Sequence, residues 1–330
     1  VFTSGSTGHP KLVLYSQKNI ETSVRGILAL FDRSMVSEIF CYPQPYHTFG
    51  LSLGYGASLL MNWSLRFRNG TYSRDHHRHW LETLVPGRIT LGTPTHFTDL
   101  IHWIQNHNHA VSPSYSCIVG GAKVQRSLWF DIKKSLEIQQ PSIGYGATEA
   151  SPGITHLAPG VEPTEDGDIG ELLDHVQVRF QPDGFQFSGD NVCLATIENG
   201  SIEFPTSLHL PDLIDHRQKG HWIYQGRSRW TLNRGGEKFS LEKLENDLSC
   251  QNNCEFLCLS LPHARLGEEL GILVKHKPGL PENLKERVFK QLKKQTQRQF
   301  DPQFFKIISE FPFNDNLKVD RREAVKFFNI

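Results

Sequence analysis

The sequence predicts an α/β domain with a largely parallel sheet, then a β-rich subdomain, then a small α+β domain. Two changes of texture along its 330 residues carry that expectation. Up to about residue 150, short apolar runs ending in Gly or Pro alternate with stretches of helical periodicity, the pattern of strand–helix units that build a parallel sheet. Residues 11–15 are strand-like, and Ser16 or Asn19 can cap a helix running through 27–31. Residues 39–42, 88–91, 117–119 and 142–144 are further strands, with helices over 97–105 and 128–136 between some of them. From Gly170 the segments shorten: 172–180, 184–188, 192–198 and 201–204 alternate and are separated by Asp-Gly and Asn-Gly turns, which predicts hairpins. Beyond Arg227 come a strand-turn-helix (230–248), strands near 255–261 and 270–276, and a Lys-rich amphipathic helix within 281–300. That makes a last domain of about 100 residues, within the usual range. No internal repeat or low-complexity tract interrupts the series.

Composition narrows the function. Thirty-five Lys+Arg balance thirty-five Asp+Glu, so nothing advertises nucleic acid as a partner. A hydrophobic fraction of 38% excludes a disordered tail, a collagen-like chain and a disulfide-stapled miniprotein. The most apolar stretch, 50–65, is broken by Gly, Ser and Asn and falls short of the roughly 20 apolar residues of a membrane span. The first twenty residues lack the basic and apolar regions of a signal peptide. Six cysteines in so long a chain point to a reducing, cytoplasmic compartment and not to a disulfide framework. Cys250, Cys254 and Cys258 have spacing that invites a metal, but a strand over 255–261 would splay them, so buried or incidental thiols are expected. His76, His77 and His79 are read as a solvated, charge-mixed helix start.

The most informative segment is Thr3-Ser4-Gly5-Ser6-Thr7-Gly8-His9-Pro10-Lys11. Glycines let successive backbone N–H groups converge on one anion, hydroxyls add donors, and Lys11 adds a positive charge, which together make a phosphate cradle. It is not a Walker A loop, because two residues separate Gly8 from Lys11 and a strand follows. A flexible Ser/Gly turn is the plainer alternative for this tract alone.

Further motifs follow in order. Pro45-Tyr46-His47-Thr48-Phe49-Gly50 is followed by Gly120-Gly121-Ala122, Gly144-Tyr145-Gly146-Ala147-Thr148-Glu149, Asp212 with Gly226-Arg227, Gly235-Gly236-Glu237, and Lys318 within Asn316-Leu317-Lys318-Val319-Asp320-Arg321. Together with the opening loop these resemble, collinearly from residue 3 to 321, the motifs of the adenylate-forming superfamily: acyl- and aryl-CoA ligases, peptide-synthetase adenylation domains and luciferases. The resemblance implies that Thr3, Ser4, Gly5, Ser6, Thr7, Gly8 and Lys11 bind the phosphates of ATP, that Thr148 donates to the α-phosphate, and that Glu149 holds Mg²⁺. Gly120, Gly121 and Ala122 would run along the adenine and Tyr145, with Gly146 behind it, would stack on it. Asp212 and Arg227 would hold the ribose. His47, Phe49 and Gly144 would line the acid pocket, with His47 also at the thiol channel, and Lys318 would be the catalytic lysine.

The same resemblance implies residues 1–226 as an ATP- and acid-binding large domain with its β-rich subdomain near 170–226, and 227–330 as a mobile lid turning about Arg229. Family members carry a substantial segment before the phosphate loop, so Val1 is expected to mark a fragment or a reduced variant that exposes apolar surface. The leading activity is an acid–thiol ligase using ATP, Mg²⁺ and coenzyme A. The run Arg227-Ser228-Arg229 before Gly235-Gly236-Glu237 is similar to o-succinylbenzoate–CoA ligases of menaquinone synthesis. Transfer to a carrier protein's phosphopantetheine is the second reading. A degenerate nucleotide-binding relative is the third, motivated by Leu210-Pro211 before Asp212 and Leu317 before Lys318, where the family has Thr-Gly and Gly.

Overall fold

A computed structural model describes residues 1–4, 10–68, 70, 72–216, 220–227, 230–234, 237–313 and 319–328. The chain divides into two compact units, one of 1–210 with 214–224, the other of 211–213 with 225–330.

The first unit is organised by a seven-stranded sheet, in the order Ser64–Phe67, Glu38–Cys41, Arg88–Gly92, Ser114–Gly120, Ile138–Gly146, Gly153–Leu157 and Glu171–Leu172. The first five are parallel and the last two antiparallel. Glu38–Cys41, Arg88–Gly92 and Ser114–Gly120 are buried at every position, because helices cover both faces of a parallel sheet. One core collects Ile39, Cys41, Ile89 and Leu91 against the helix Gln17–Leu28 and the wide π-helical segment Phe49–Gly56, which continues as Ala57–Met61. The other collects Phe40, Tyr42, Cys117 and Val119 against the helices Arg74–Glu82, Pro94–His107 and Arg126–Ser135. Ser16 begins the first helix with a reciprocal capping box to Asn19, as the sequence suggests. The short apolar run at 142–144 is the centre of a longer strand, Ile138–Gly146.

A four-stranded antiparallel sheet joins Phe2–Ser4, Pro10–Leu14, Ala195–Glu198 and Ser201–Glu203. Phe2, Leu12, Ile197 and Ile202 are successive cross-strand neighbours in it, and Phe2 and Ile202 are exposed. The hairpin of Val176–Gln181 and Gly184–Gly189 takes Ser207–Leu210 as a third antiparallel strand and makes a second small sheet.

The histidine cluster corrects the expectation of a solvated helix start. His76 and His77 are buried, because the helix at Arg74–Glu82 turns these positions to the sheet and only its other side to water. The Tyr72 hydroxyl donates to Asp99 Oδ2 at 3.3 Å, so it accepts from His77 Nε2 at 2.8 Å, which leaves His77 Nδ1 to accept from the Tyr42 hydroxyl at 3.1 Å. Burial lowers the His77 pKa to about 4, consistent with a neutral ring. A cavity of about 510 Å³ lies beside this network, between Tyr72, Asp99, His102 and Trp103.

The second unit packs the helices Leu241–Asn252 and Leu284–Thr296 on a sheet of Glu237–Ser240, Thr231–Arg234, Gly267–Lys275 and Phe256–His263, with Phe305–Ile308 parallel to Gly267–Lys275. Cys254 and Cys258 are buried here and Cys250 is exposed. Among the described residues no group of His, Cys, Asp or Glu is arranged to hold a metal, and no helix is long and apolar enough to cross a membrane.

Adjacent strands of the large sheet begin with a buried ion pair. Arg88 Nε donates to Glu38 Oε1 at 2.8 Å and Arg88 Nη1 to the Trp80 carbonyl at 2.7 Å, with the Arg88 side chain fully buried. Glu38→Leu would leave the guanidinium without its counter-charge, so we expect a loss of about 3 kcal/mol or more in denaturant unfolding. Replacing both partners by apolar residues of similar volume should recover most of it.

Candidate functional site

Ligands of open α/β sheets bind beyond the carboxyl ends of the strands. There the parallel strands of this unit run out in glycines: Gly92, Gly120 with Gly121, and Gly144 with Gly146. Gly120 and Gly144 are register partners. A Cβ on Gly120 would lie 2.9 Å from the Gly144 carbonyl oxygen and 3.6 Å from the Phe49 ring, so the structure brings Phe49, Gly120 and Gly144 together. Gly121 turns the chain at φ +84°, a conformation that favours glycine, and Ala122 after it is exposed. The Tyr145 ring lies 6.4 Å from Phe185 and 5.9 Å from Tyr224. His47, one turn before the wide helix, is half-buried with its ring 4.6 Å from the exposed Tyr46.

After Gly146 the chain makes a short 3₁₀ turn, Thr148–Ala150, and returns as the antiparallel strand Gly153–Leu157. A Cβ on Gly146 would stand 1.6 Å from the Pro152 carbonyl oxygen, which instead accepts from the Ala147 N–H at 3.1 Å. Three successive carbonyls of the turn are held from outside it. Thr148 O accepts from the Tyr15 hydroxyl at 2.9 Å, Glu149 O from the Cys193 N–H at 2.9 Å, and Ala150 O from Asn191 Nδ2 at 3.1 Å. Asn191 is fully buried, and its Nδ2 also donates to Gly153 O at 2.8 Å. The Glu149 carboxylate pairs with Lys11 Nζ at 2.9 Å, both side chains about one-fifth exposed. The phosphate-loop lysine and the carboxylate assigned to a cation therefore meet across 138 residues of sequence.

Burial pushes the Tyr15 phenol well above its usual range, with the Glu149 charge adding to the shift. It stays a protonated donor. The Cys193 thiol is raised to about 11, again by burial first and Glu149 second, and is inert as a nucleophile. His156, opposite Gly144 in the antiparallel pair, is lowered to about 3 by burial. The Ser142 hydroxyl donates to the Cys117 carbonyl at 2.7 Å, so it accepts from His156 Nε2 at 3.1 Å and fixes a neutral tautomer.

Several expected site residues lie outside the described residues: Gly5, Ser6, Thr7 and Gly8 of the loop, Arg229, and Lys318. Thr3 and Ser4 fall on the strand Phe2–Ser4, and Arg227 ends the strand Ile223–Arg227. Asp212 is buried at the start of the strand Asp212–Asp215. Sequence reasoning passed over Tyr15, Asn191, Cys193 and His156. None stands in a glycine-rich or charged run, and each acts through a partner distant in sequence.

A family profile described as AMP-binding enzyme matches residues 1–183. The chain is similar to the acyl-CoA ligase SID4 of Ajellomyces capsulatus, at 25% identity over 307 residues covering 84% of this chain and 51% of that protein. It is also similar to the acyl-CoA ligase sidI of Aspergillus fumigatus, at 29% over 151 residues, 46% of this chain and 25% of the relative. The chain thus matches about half of the length of the first of these curated relatives and a quarter of the second. Among solved structures, the o-succinylbenzoate CoA synthetase MenE of Bacillus subtilis, in complex with the acyl-adenylate intermediate OSB-AMP, superposes with a TM-score of 0.78 at 18% identity over 98% of this chain and 68% of that one. That likeness extends the shared fold over nearly the whole chain.

The close approach of Gly146 to Pro152 yields a test. Gly146→Ala must displace the Pro152 carbonyl and break its hydrogen bond to Ala147, so unfolding should show a loss of about 2–3 kcal/mol.

Proposed function

The chain belongs to the AMP-binding enzyme family, and on that premise we propose that it is the ATP-using part of an acid–thiol ligase, which adenylates a carboxylic acid and passes the acyl group to coenzyme A. The Lys11–Glu149 pair on the pinned Thr148 turn, next to a strand edge without side chains at Gly120, Gly144 and Gly146, is the observation that supports it best.

In adenylation an oxygen of the acid's carboxylate attacks the α-phosphorus of ATP while the bond to pyrophosphate breaks. Little covalent work falls to the protein, whose part is positioning and neutralising charge. In this reading residues 3–8 and Lys11 hold the phosphates and the Thr148 hydroxyl donates to the α-phosphate. Glu149 offers one carboxylate oxygen set to Mg²⁺, a donor set that fits an ion taking one or two carboxylates with phosphate and water oxygens. Bound there, Mg²⁺ would supply charge neutralisation on the phosphates. Adenine lies along Gly120–Ala122 and against Tyr145, where a Cβ is missing or a ring is available. Asp212 and Arg227 take the ribose. The acid occupies the space by His47, Phe49 and Gly144.

Lys318 reaches the α-phosphate and the attacking carboxylate as a long, flexible cation. Residues 227–330 act as a lid that turns about Arg229 and exchanges this lysine for the thiol-facing Gly235-Gly236 segment between the half-reactions. The location proposed with this activity is cytoplasmic, on the cysteine usage of the sequence alone.

The test is acid-dependent exchange of pyrophosphate into ATP across a panel of aromatic, medium-chain and dicarboxylic acids, o-succinylbenzoate among them because of the Arg227-Ser228-Arg229 run. Coenzyme A against a phosphopantetheinylated carrier protein then identifies the acceptor. We expect exchange with at least one acid, preferred transfer to coenzyme A, and a fall of about 100-fold or more in exchange for Lys318→Ala. ATP binding without exchange on any acid would leave a non-catalytic relative as the answer.

A further inference from the structure

We infer that Tyr15 is a positioning residue for the adenylation step: its phenol fixes the Thr148–Glu149 peptide and so sets where the Thr148 hydroxyl and the Glu149 carboxylate stand. The inference rests on the function proposed above and adds a residue that none of the phosphate, adenine, ribose or lysine motifs contains.

The argument begins with the strand Pro10–Leu14. Alternate residues of an extended chain share a face, so Lys11, Val13 and Tyr15 point to one side. Val13 is wholly buried, and the residues flanking it both reach the same turn: Lys11 Nζ to the Glu149 side chain at 2.9 Å, and the Tyr15 hydroxyl to the Thr148 backbone at 2.9 Å. The two grips differ in what they hold. An ion pair to Glu149 constrains a side chain that can still rotate. A hydrogen bond to Thr148 O constrains the plane of the peptide between Thr148 and Glu149, and rotating that plane moves both side chains at once. The Ser151 N–H also donates to Thr148 O, at 3.3 Å from within the turn, so removing the phenol leaves only the longer of two bonds to hold that plane, and Lys11 does not replace the one lost.

Tyr15 also faces the other half of the proposed site. The Thr48 hydroxyl lies near enough to the phenol to lower its pKa against the effect of burial, though outside hydrogen-bond geometry. Thr48 is buried between His47 and Phe49, which the proposed function places in the acid pocket. One phenol therefore stands between the turn that meets the phosphates and the segment that meets the acid, the two reactants that must be aligned. Phenylalanine keeps the ring's shape and loses only the donor.

The experiment uses the full chain, with Tyr15→Phe and, as control, Tyr115→Phe. Tyr115 also has a buried hydroxyl, which accepts from the Asp32 N–H at 2.8 Å. Three quantities are measured: acid-dependent pyrophosphate exchange, thioester formation from synthetic acyl-adenylate and coenzyme A, and Mg-ATP affinity by calorimetry. Tyr15→Phe should lower the exchange kcat about tenfold and weaken Mg-ATP several-fold. Thioester formation from the ready-made adenylate should stay at the wild-type rate, and Tyr115→Phe should leave all three unchanged. Unaltered exchange and affinity in Tyr15→Phe overturn the inference. So does a parallel fall of both half-reactions, since that marks a merely structural residue. Wild-type protein that binds Mg-ATP but exchanges with no acid refutes the proposed function instead, and the affinity of Tyr15→Phe then decides the inference by itself.

Discussion

The structure of the first unit depends on one reversal. Ile138–Gly146 is the last strand of the parallel run, and the chain must come back beside it as Gly153–Leu157 within six intervening residues. Neighbouring backbones cannot approach that closely with a side chain between them, which is why Gly146 lies where a Cβ would strike Pro152. Within so tight a turn the Ser151 N–H reaches Thr148 O only at 3.3 Å, and the carbonyls of Glu149 and Ala150 find their donors outside it. Thr148, Glu149 and Ala150 consequently hand theirs to Tyr15, Cys193 and Asn191, which come from two other stretches of chain. The need to pair backbone oxygens thus ties the end of the strand Pro10–Leu14 and the 191–193 loop to the end of the large sheet.

That arrangement makes the turn stiff where chemistry by positioning needs stiffness. The Lys11–Glu149 pair is partly exposed, and such pairs contribute about 1 kcal/mol or less to stability. Its importance is geometric: it holds a cation and a carboxylate side by side at the edge where the strands stop. The scaffold's stability has other sources, notably two apolar cores and the buried Glu38–Arg88 pair at the opposite, amino-terminal ends of the strands.

What could be read from the sequence was whatever is local. Gly120, Gly121, Gly144 and Gly146 declare themselves because a missing side chain has the same meaning in any context. The alternation of strands and helices, and the Ser16 cap, follow from periodicity and short-range chemistry. Tyr15, Asn191 and His156 were not legible, because their meaning lies in partners 133, 41 and 14 residues away. His76 and His77 were misread for the same reason. A local count of charge suggests water around them, whereas the packing of their helix supplies Tyr42, Tyr72 and Asp99 as a pre-formed polar lining.

The second unit shows the same logic with an ion pair in place of a turn. Arg321 donates to both oxygens of Glu245 at 2.7 and 2.8 Å and to the Cys258 carbonyl at 2.5 Å, with its guanidinium 5.1 Å over the Trp230 ring. Burial raises the Glu245 pKa despite the facing cation, so the pair bears a real desolvation cost. A well-packed apolar cluster of equal volume would serve stability as well or better. It would not serve direction: a planar fork meeting two carboxylate oxygens, one strand carbonyl and one ring face admits a single arrangement of helix, strand and chain end. Trp230 follows Arg229 directly, and Arg321 comes three residues after Lys318. This buried polar contact therefore fixes the chain beside both positions on which the proposed lid chemistry turns, and registry is what it supplies.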